Sequence, residues 1–102
     1  VPVYNGHSEA VDIEFENEIT PDEVRNILKN SFGLEIIDDP QNMEYPTTCD
    51  ASGVDPVFVG RIRRNLAFKN GISLWCVADN LRIGAALNTV RICQKVIEMG
   101  LY

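Results

Sequence analysis

Residues 72–78 constrain the fold of this chain more than any other segment. Their sequence, ISLWCVA, places apolar side chains on both phases of an extended strand. A strand with one solvated face alternates apolar and polar residues, so this pattern predicts a strand covered on both faces. We therefore expect residues 72–78 to be the central strand of a sheet. A chain of 102 residues is expected to form one compact domain around that sheet.

Four further strands are predicted around this one. The clearest is near residues 11–16, where Val11, Ile13 and Phe15 alternate with acidic residues. The other three are predicted over residues 1–5, 34–37 and 56–63. The polar, turn-rich segment 39–55 between two of them is predicted to be a long loop.

Two helices complete the prediction. Thr20-Pro21 supplies an N-cap and a first-turn proline for a helix over about residues 21–31. The second helix is expected to begin at Asp79 or Asn80 and to end near Met99, and its apolar surface is wider than one face. We therefore expect it to be covered by a further domain or subunit. The predicted class is α+β, with a mixed, largely antiparallel sheet, two helices and the order β-β-α-β-β-β-α.

Charge and cysteine content limit the classes of function. The net charge of −6 disfavours binding to nucleic acid or to an anionic membrane surface. No apolar run approaches the roughly 18 residues of a membrane helix, so we expect a cytoplasmic protein. The three cysteines form no CxxC pair, which predicts reduced thiols and no metal site.

Few residues are candidates for chemistry. His7 is the only histidine and shares its phase with Val11 and Ile13, so an uninterrupted pleat would direct it to the covered side as a base or as a structural histidine. Asn80 lies in a strand-to-helix turn, where a cofactor site and simple N-capping are both open. No cysteine has the setting of a nucleophile. The three arginines at positions 61, 63 and 64 are left unassigned, because such groups often balance carboxylates.

Three stretches resemble one enzyme family in order and spacing: 1–11 (VPVYNGHSEAV), 59–64 (VGRIRR) and 75–88 (WCVADNLRIGAALN). The family is that of the aspartate-semialdehyde dehydrogenases, in the bacterial type with HSEAV after the histidine strand. The resemblance implies a glyceraldehyde-3-phosphate-dehydrogenase-like catalytic and dimerisation domain. It further implies that His7 is the acid-base residue and that Asn80 lies near the nicotinamide end of NADP.

The resemblance also implies a reaction and a set of partners. In the family, a cysteine thiolate attacks the aldehyde of L-aspartate 4-semialdehyde, hydride passes to NADP, and phosphate releases the thioester as aspartyl phosphate. Biosynthesis of lysine, threonine and methionine uses the reverse direction. The nucleophilic cysteine and the NADP-binding half of the family precede the part that resembles residues 1–102. We therefore expect a C-terminal portion of the enzyme that is inactive alone, binds its missing N-terminal half and self-associates to a homodimer or larger assembly.

Two alternatives remain open at this point. One is a stand-alone dimerisation or binding module without chemistry. The other is part of an enzyme like N-acetylglutamyl-phosphate reductase, which shares the thioester mechanism but has a different histidine-strand motif. The GHSEAV and VADNLRIGAALN stretches favour the semialdehyde enzyme.

Overall fold

The computed structural model describes residues 2–102, and within that range it contains a four-stranded sheet and three α-helices. The elements in chain order are β1 (His7–Glu14), α1 (Pro21–Lys29), β2 (Leu34–Ile36), α2 (Thr48–Ala51), β3 (Val57–Arg64), β4 (Gly71–Ala78) and α3 (Leu87–Glu98). Val1, the first residue of the predicted strand 1–5, lies outside the described residues.

The sheet has the strand order β1-β4-β3-β2. Strand β4 lies in the interior and pairs antiparallel with both β1 and β3, whereas β2 pairs parallel with β3. The predicted α+β class and its mixed, largely antiparallel sheet are therefore confirmed. The prediction that residues 72–78 form a central strand is confirmed as well.

Both faces of β4 are covered, but by different helices. On one face Ile72 and Leu74 pack with Val24 of α1, and on this α1 face the core is largest. On the opposite face Val77 packs with Phe58 of β3 and with Ala51 of α2, and we call this the α2 face. Ile72 and Ala51 are fully buried. Burial on both phases explains why the sequence of this strand does not alternate.

Helix α1 begins where its capping residues predict. The Thr20 backbone N–H donates to the Glu23 carboxylate over 2.7 Å, and the Glu23 N–H donates to the Thr20 hydroxyl over 3.3 Å. This reciprocal pair satisfies two donors that a helix start otherwise leaves free. The helix ends at Lys29, two residues earlier than predicted.

Two predictions are wrong, namely the strand over residues 1–5 and the long loop over residues 39–55. Residues 2–6 form no strand, because Gly6 adopts a left-handed φ of 92° and Asn5 uses its side chain to bond Ser52 and Asp79. The observed order of the named helices and strands is therefore β-α-β-α-β-β-α. The segment 39–55 is also not a continuous loop, since it contains α2, whose Ala51 covers the sheet.

The last helix begins later than predicted, at Leu87 instead of Asp79 or Asn80. Residues Ile83, Gly84 and Ala85 have non-helical backbone angles, with φ at Gly84 of 79°, and they break the run. Within the described part of the chain, no residue of α3 is buried, so the surface that was expected to need cover lies exposed. None of the helices in residues 2–102 has the length and apolar character needed to cross a membrane.

Candidate active site

His7 is the first residue of β1 and lies opposite Ala78, the last residue of β4. Strand alternation places it on the α1 face together with Val11 and Ile13, as predicted. The prediction that this face is covered at His7 is wrong. Helix α1 covers the Ile13 end of the strand, so the imidazole is exposed.

Asn80 lies beside the residue that precedes His7. Its Oδ1 accepts a hydrogen bond from the Gly6 N–H over 3.1 Å. Gly6 directly precedes His7, and Asn80 follows Ala78 by two residues. The pairing of His7 with Ala78 therefore brings the two predicted site residues into one corner of the sheet, which we call the His7 corner. Both residues were predicted as site candidates, but the contact between Asn80 and Gly6 was not predicted.

Asp79 organises the same corner, although it was predicted only as a possible start of the last helix. The residue is 3% exposed, and its carboxylate accepts three hydrogen bonds. The donors are the Gly53 N–H at 2.8 Å, the Asn5 amide at 3.1 Å and the Leu81 N–H at 2.9 Å. The pKa of this carboxyl lies below its ordinary value, chiefly because the Gly53 N–H stabilises the ionised form. The sequence signal that could have identified Asp79 is its place directly after the buried strand 72–78.

The three cysteines lie on three different elements, α2, β4 and α3. All three are free, and Cys49 and Cys93 are exposed. Cys76 lies opposite Glu9 on the α1 face, and burial raises the pKa of its thiol while the Glu9 charge raises it further. Both effects disfavour the thiolate, which agrees with the prediction that Cys76 is not a nucleophile.

A groove of about 500 Å³ lies on the α2 face and is therefore separate from His7. Its floor includes Ser8 and Trp75, and segment 45–48 forms one wall. Two of the unassigned arginines line it, and Arg61 lies 5.8 Å from the centre of the Tyr45 ring. The groove brings no nucleophile and base together, so the catalytic candidates remain at the His7 corner.

The third unassigned arginine, Arg64, pairs with Glu18 over 3.2 Å. Among residues 2–102 no group of three or more histidine, cysteine, aspartate or glutamate side chains is arranged to hold a metal ion.

Known proteins with similar sequences align with almost the whole of this chain. The family described as "Semialdehyde dehydrogenase, dimerisation domain" matches residues 1–83. The aspartate-semialdehyde dehydrogenase of Aquifex aeolicus is 52% identical over 101 residues, covering 99% of this chain and 30% of its own length. The enzyme of the same name from Bacillus subtilis is 43% identical over 102 residues, again covering 99% and 30%.

A solved structure shows the same fold. Aspartate semialdehyde dehydrogenase II from Vibrio cholerae, in a crystal described as a complex with ASA, superimposes with a TM-score of 0.87 at 40% identity. The match covers 96% of this chain and 29% of the Vibrio chain. The chain thus spans about 30% of the length of the curated relatives named above.

Proposed function

The chain belongs to the aspartate-semialdehyde dehydrogenase family, and we propose that the whole protein interconverts L-aspartyl 4-phosphate and L-aspartate 4-semialdehyde with NADP. The observation that carries the proposal is the His7 corner. An exposed imidazole starts a paired strand there, and Asn80 bonds the residue before it. The role in lysine, threonine and methionine synthesis would place the protein in the cytoplasm.

His7 is the group that moves the proton in this proposal. In the oxidative direction the substrate aldehyde is held as a thiohemiacetal on a cysteine thiolate. As its hydroxyl becomes the carbonyl of a thioester, His7 accepts the hydroxyl proton, and in the biosynthetic direction His7 returns it. Histidine suits both steps because it can take and give a proton near neutrality. The thiolate would come from a cysteine in the part of the enzyme that residues 1–102 do not span. Burial raises the thiol pKa of Cys76, which disfavours Cys76 as the source.

The donor set at Asn80 fits the nicotinamide end of NADP. Its Oδ1 is already engaged by the Gly6 N–H, and within residues 2–102 its Nδ2 has no protein acceptor. A free amide donor is suited to the carboxamide oxygen of a nicotinamide. When bound, NADP supplies the acceptor for the hydride. Asn80 would hold the ring end of the cofactor while its other amide atom fixes the backbone next to His7.

We also propose that the protein is a homodimer. The matching family is described as a dimerisation domain. Two apolar surfaces support this, namely the α2-face groove and the exposed side chains of α3. Apolar surface of this kind commonly marks an interface between proteins.

The test of the function is a substitution at His7 in the whole protein. His7→Asn should lower kcat for phosphate-dependent formation of NADPH from L-aspartate 4-semialdehyde by about 10²- to 10⁴-fold, because an acid-base group is lost. The affinity for NADP, measured by fluorescence titration, should change by less than about twofold. The 102-residue chain alone is expected to form no NADPH.

Glu9→Gln is the matched control for this experiment. Glu9 lies two residues along β1 on the same face and is also exposed, and the proposal gives it no proton to move. Its kcat should stay within about threefold of the unsubstituted protein. Near-normal turnover by His7→Asn would show that His7 is a structural histidine and would remove the proposal's chemical basis.

A further inference from the structure

Three segments that are distant in sequence meet at the Asp79 side chain. They are the residues before β1, represented by Asn5, the turn after α2, represented by Gly53, and the turn after β4, represented by Leu81. Each supplies one donor to the carboxylate, and all three distances lie between 2.8 and 3.1 Å. The group is nearly inaccessible to solvent, at 3% exposure.

Aspartate is suited to this position by its acceptors. An ionised carboxylate accepts from several donors and donates to none. Its Oδ2 accepts from Asn5 and Gly53 and its Oδ1 accepts from Leu81, so both oxygens are engaged. An amide at position 79 would replace one oxygen with a donor that faces another donor. Leaving a buried donor unpaired is costly, so the segments would separate or shift.

The consequence for His7 follows from the chain path. Asn5 is joined to Asp79, Gly6 is joined to Asn80, and His7 is the next residue, with no further side-chain bond of its own in residues 2–102. Gly6 is also held at a φ of 92°, which fixes the direction in which β1 begins. The pairing with Ala78 holds the strand backbone at His7, and the bonds that Asp79 and Asn80 make to the two residues before it fix the chain path that leads into that pair.

From these contacts we infer that Asp79 is a positioning residue for catalysis, which acts through Asn5 and Gly6 to hold His7 in its working place. The inference rests on the proposed function, because it assumes that His7 moves a proton. It adds a residue that touches neither substrate nor reacting atoms. The lowered pKa of Asp79 agrees with the inference, because a carboxylate that stays ionised keeps all three donors.

The experiment is a double-mutant cycle in the whole protein, with kcat for phosphate-dependent NADPH formation as the readout. Asp79→Asn should lower kcat about 10- to 100-fold, the scale expected when a reacting group is displaced by about 1 Å. If Asp79 acts through His7, the double variant Asp79→Asn/His7→Asn should be no more than about twofold slower than His7→Asn alone. A purely structural role would instead multiply the two effects.

Asp12→Asn is the control substitution. Asp12 also lies on β1 and accepts side-chain bonds from Ser73 at 2.5 Å and Asn65 at 2.8 Å, but it is five residues beyond His7. Its kcat should stay within about twofold of the unsubstituted protein. If Asp79→Asn fails to fold, Asn5→Ala takes its place in the same cycle, since it removes the Asn5 donor to Asp79, together with its bond to Ser52, and keeps the carboxylate.

The outcomes separate the inference from the proposed function. An unchanged kcat in Asp79→Asn, or effects that multiply with those of His7→Asn, overturns the inference and leaves the role of His7 intact. Near-normal turnover in His7→Asn itself overturns both. The expected result is that Asp79→Asn alone lowers kcat and that Asp12→Asn does not. When His7→Asn is already present, adding Asp79→Asn should cause no further loss.

Discussion

Replacing Gly6 with alanine should destabilise the chain for two separate reasons. Gly6 has a φ of +92°, and an L-residue in the left-handed region costs about 1–2 kcal/mol. A Cβ at this position would also lie 3.1 Å from Thr48 Cγ2 and 3.3 Å from the Ala78 carbonyl oxygen. Relieving such crowding by shifting neighbours costs about 1–2 kcal/mol more. We therefore expect Gly6→Ala to lower the free energy of unfolding by about 2–4 kcal/mol.

Gly53→Ala isolates the backbone contribution. Gly53 has a φ of +81°, and an added Cβ would meet no atom within 4 Å. Only the cost of placing an L-residue in the left-handed region, about 1–2 kcal/mol, therefore applies. Urea unfolding of the 102-residue chain, followed by Trp75 fluorescence at a single protein concentration, measures the loss of unfolding free energy in both variants. Equal losses in the two variants would refute the reasoning, because Gly6 would then not be packed against α2 and the end of β4.

Two further predictions concern acid stability and association. The hydrogen bond from Ser73 is the main cause of the lowered pKa of Asp12. Ionised Asp12 therefore stabilises the folded chain above its unfolded pKa of 3.8, and this stabilisation is lost as the pH falls through its lower folded pKa. The urea concentration at the unfolding midpoint should therefore fall as the pH is lowered from about 5 to about 3, and it should fall less steeply in Asp12→Asn. An equally steep fall in both proteins would contradict this prediction. The 102-residue chain should sediment as a dimer or larger species at micromolar concentration, and Ile97→Glu, at a side chain that is 59% exposed on α3, should shift it toward monomer. A monomeric parent chain that binds no apolar-surface dye would contradict that prediction.

The sequence predicted the elements whose signals are local. Residues 72–78 are apolar on both phases because α1 and α2 cover opposite faces of β4. The capping pair Thr20 and Glu23 likewise lies within four residues of chain, and the helix begins where the pair predicts. Such patterns are visible in one sequence because the residues that cause them are neighbours.

The errors arose where distant contacts decide the structure. The helix expected from Asp79 begins at Leu87, because Asp79 bonds Asn5 and Gly53 and the backbone breaks at Gly84. These partners are 74 and 26 residues away in the chain, so no local pattern reports them. The roles of His7 and Asn80 came from the family resemblance, but their proximity follows from the pairing of β1 with β4.

The single-turnover rate of NADPH formation in the whole protein tests the central claim most directly. If His7 accepts the hydroxyl proton as hydride passes to NADP, this rate with L-aspartate 4-semialdehyde should fall by about 10²- to 10⁴-fold in His7→Asn. In Glu9→Gln it should stay within about threefold of the parent protein. A single-turnover rate in His7→Asn within about threefold of the parent protein would contradict the account, because another group would then move the proton.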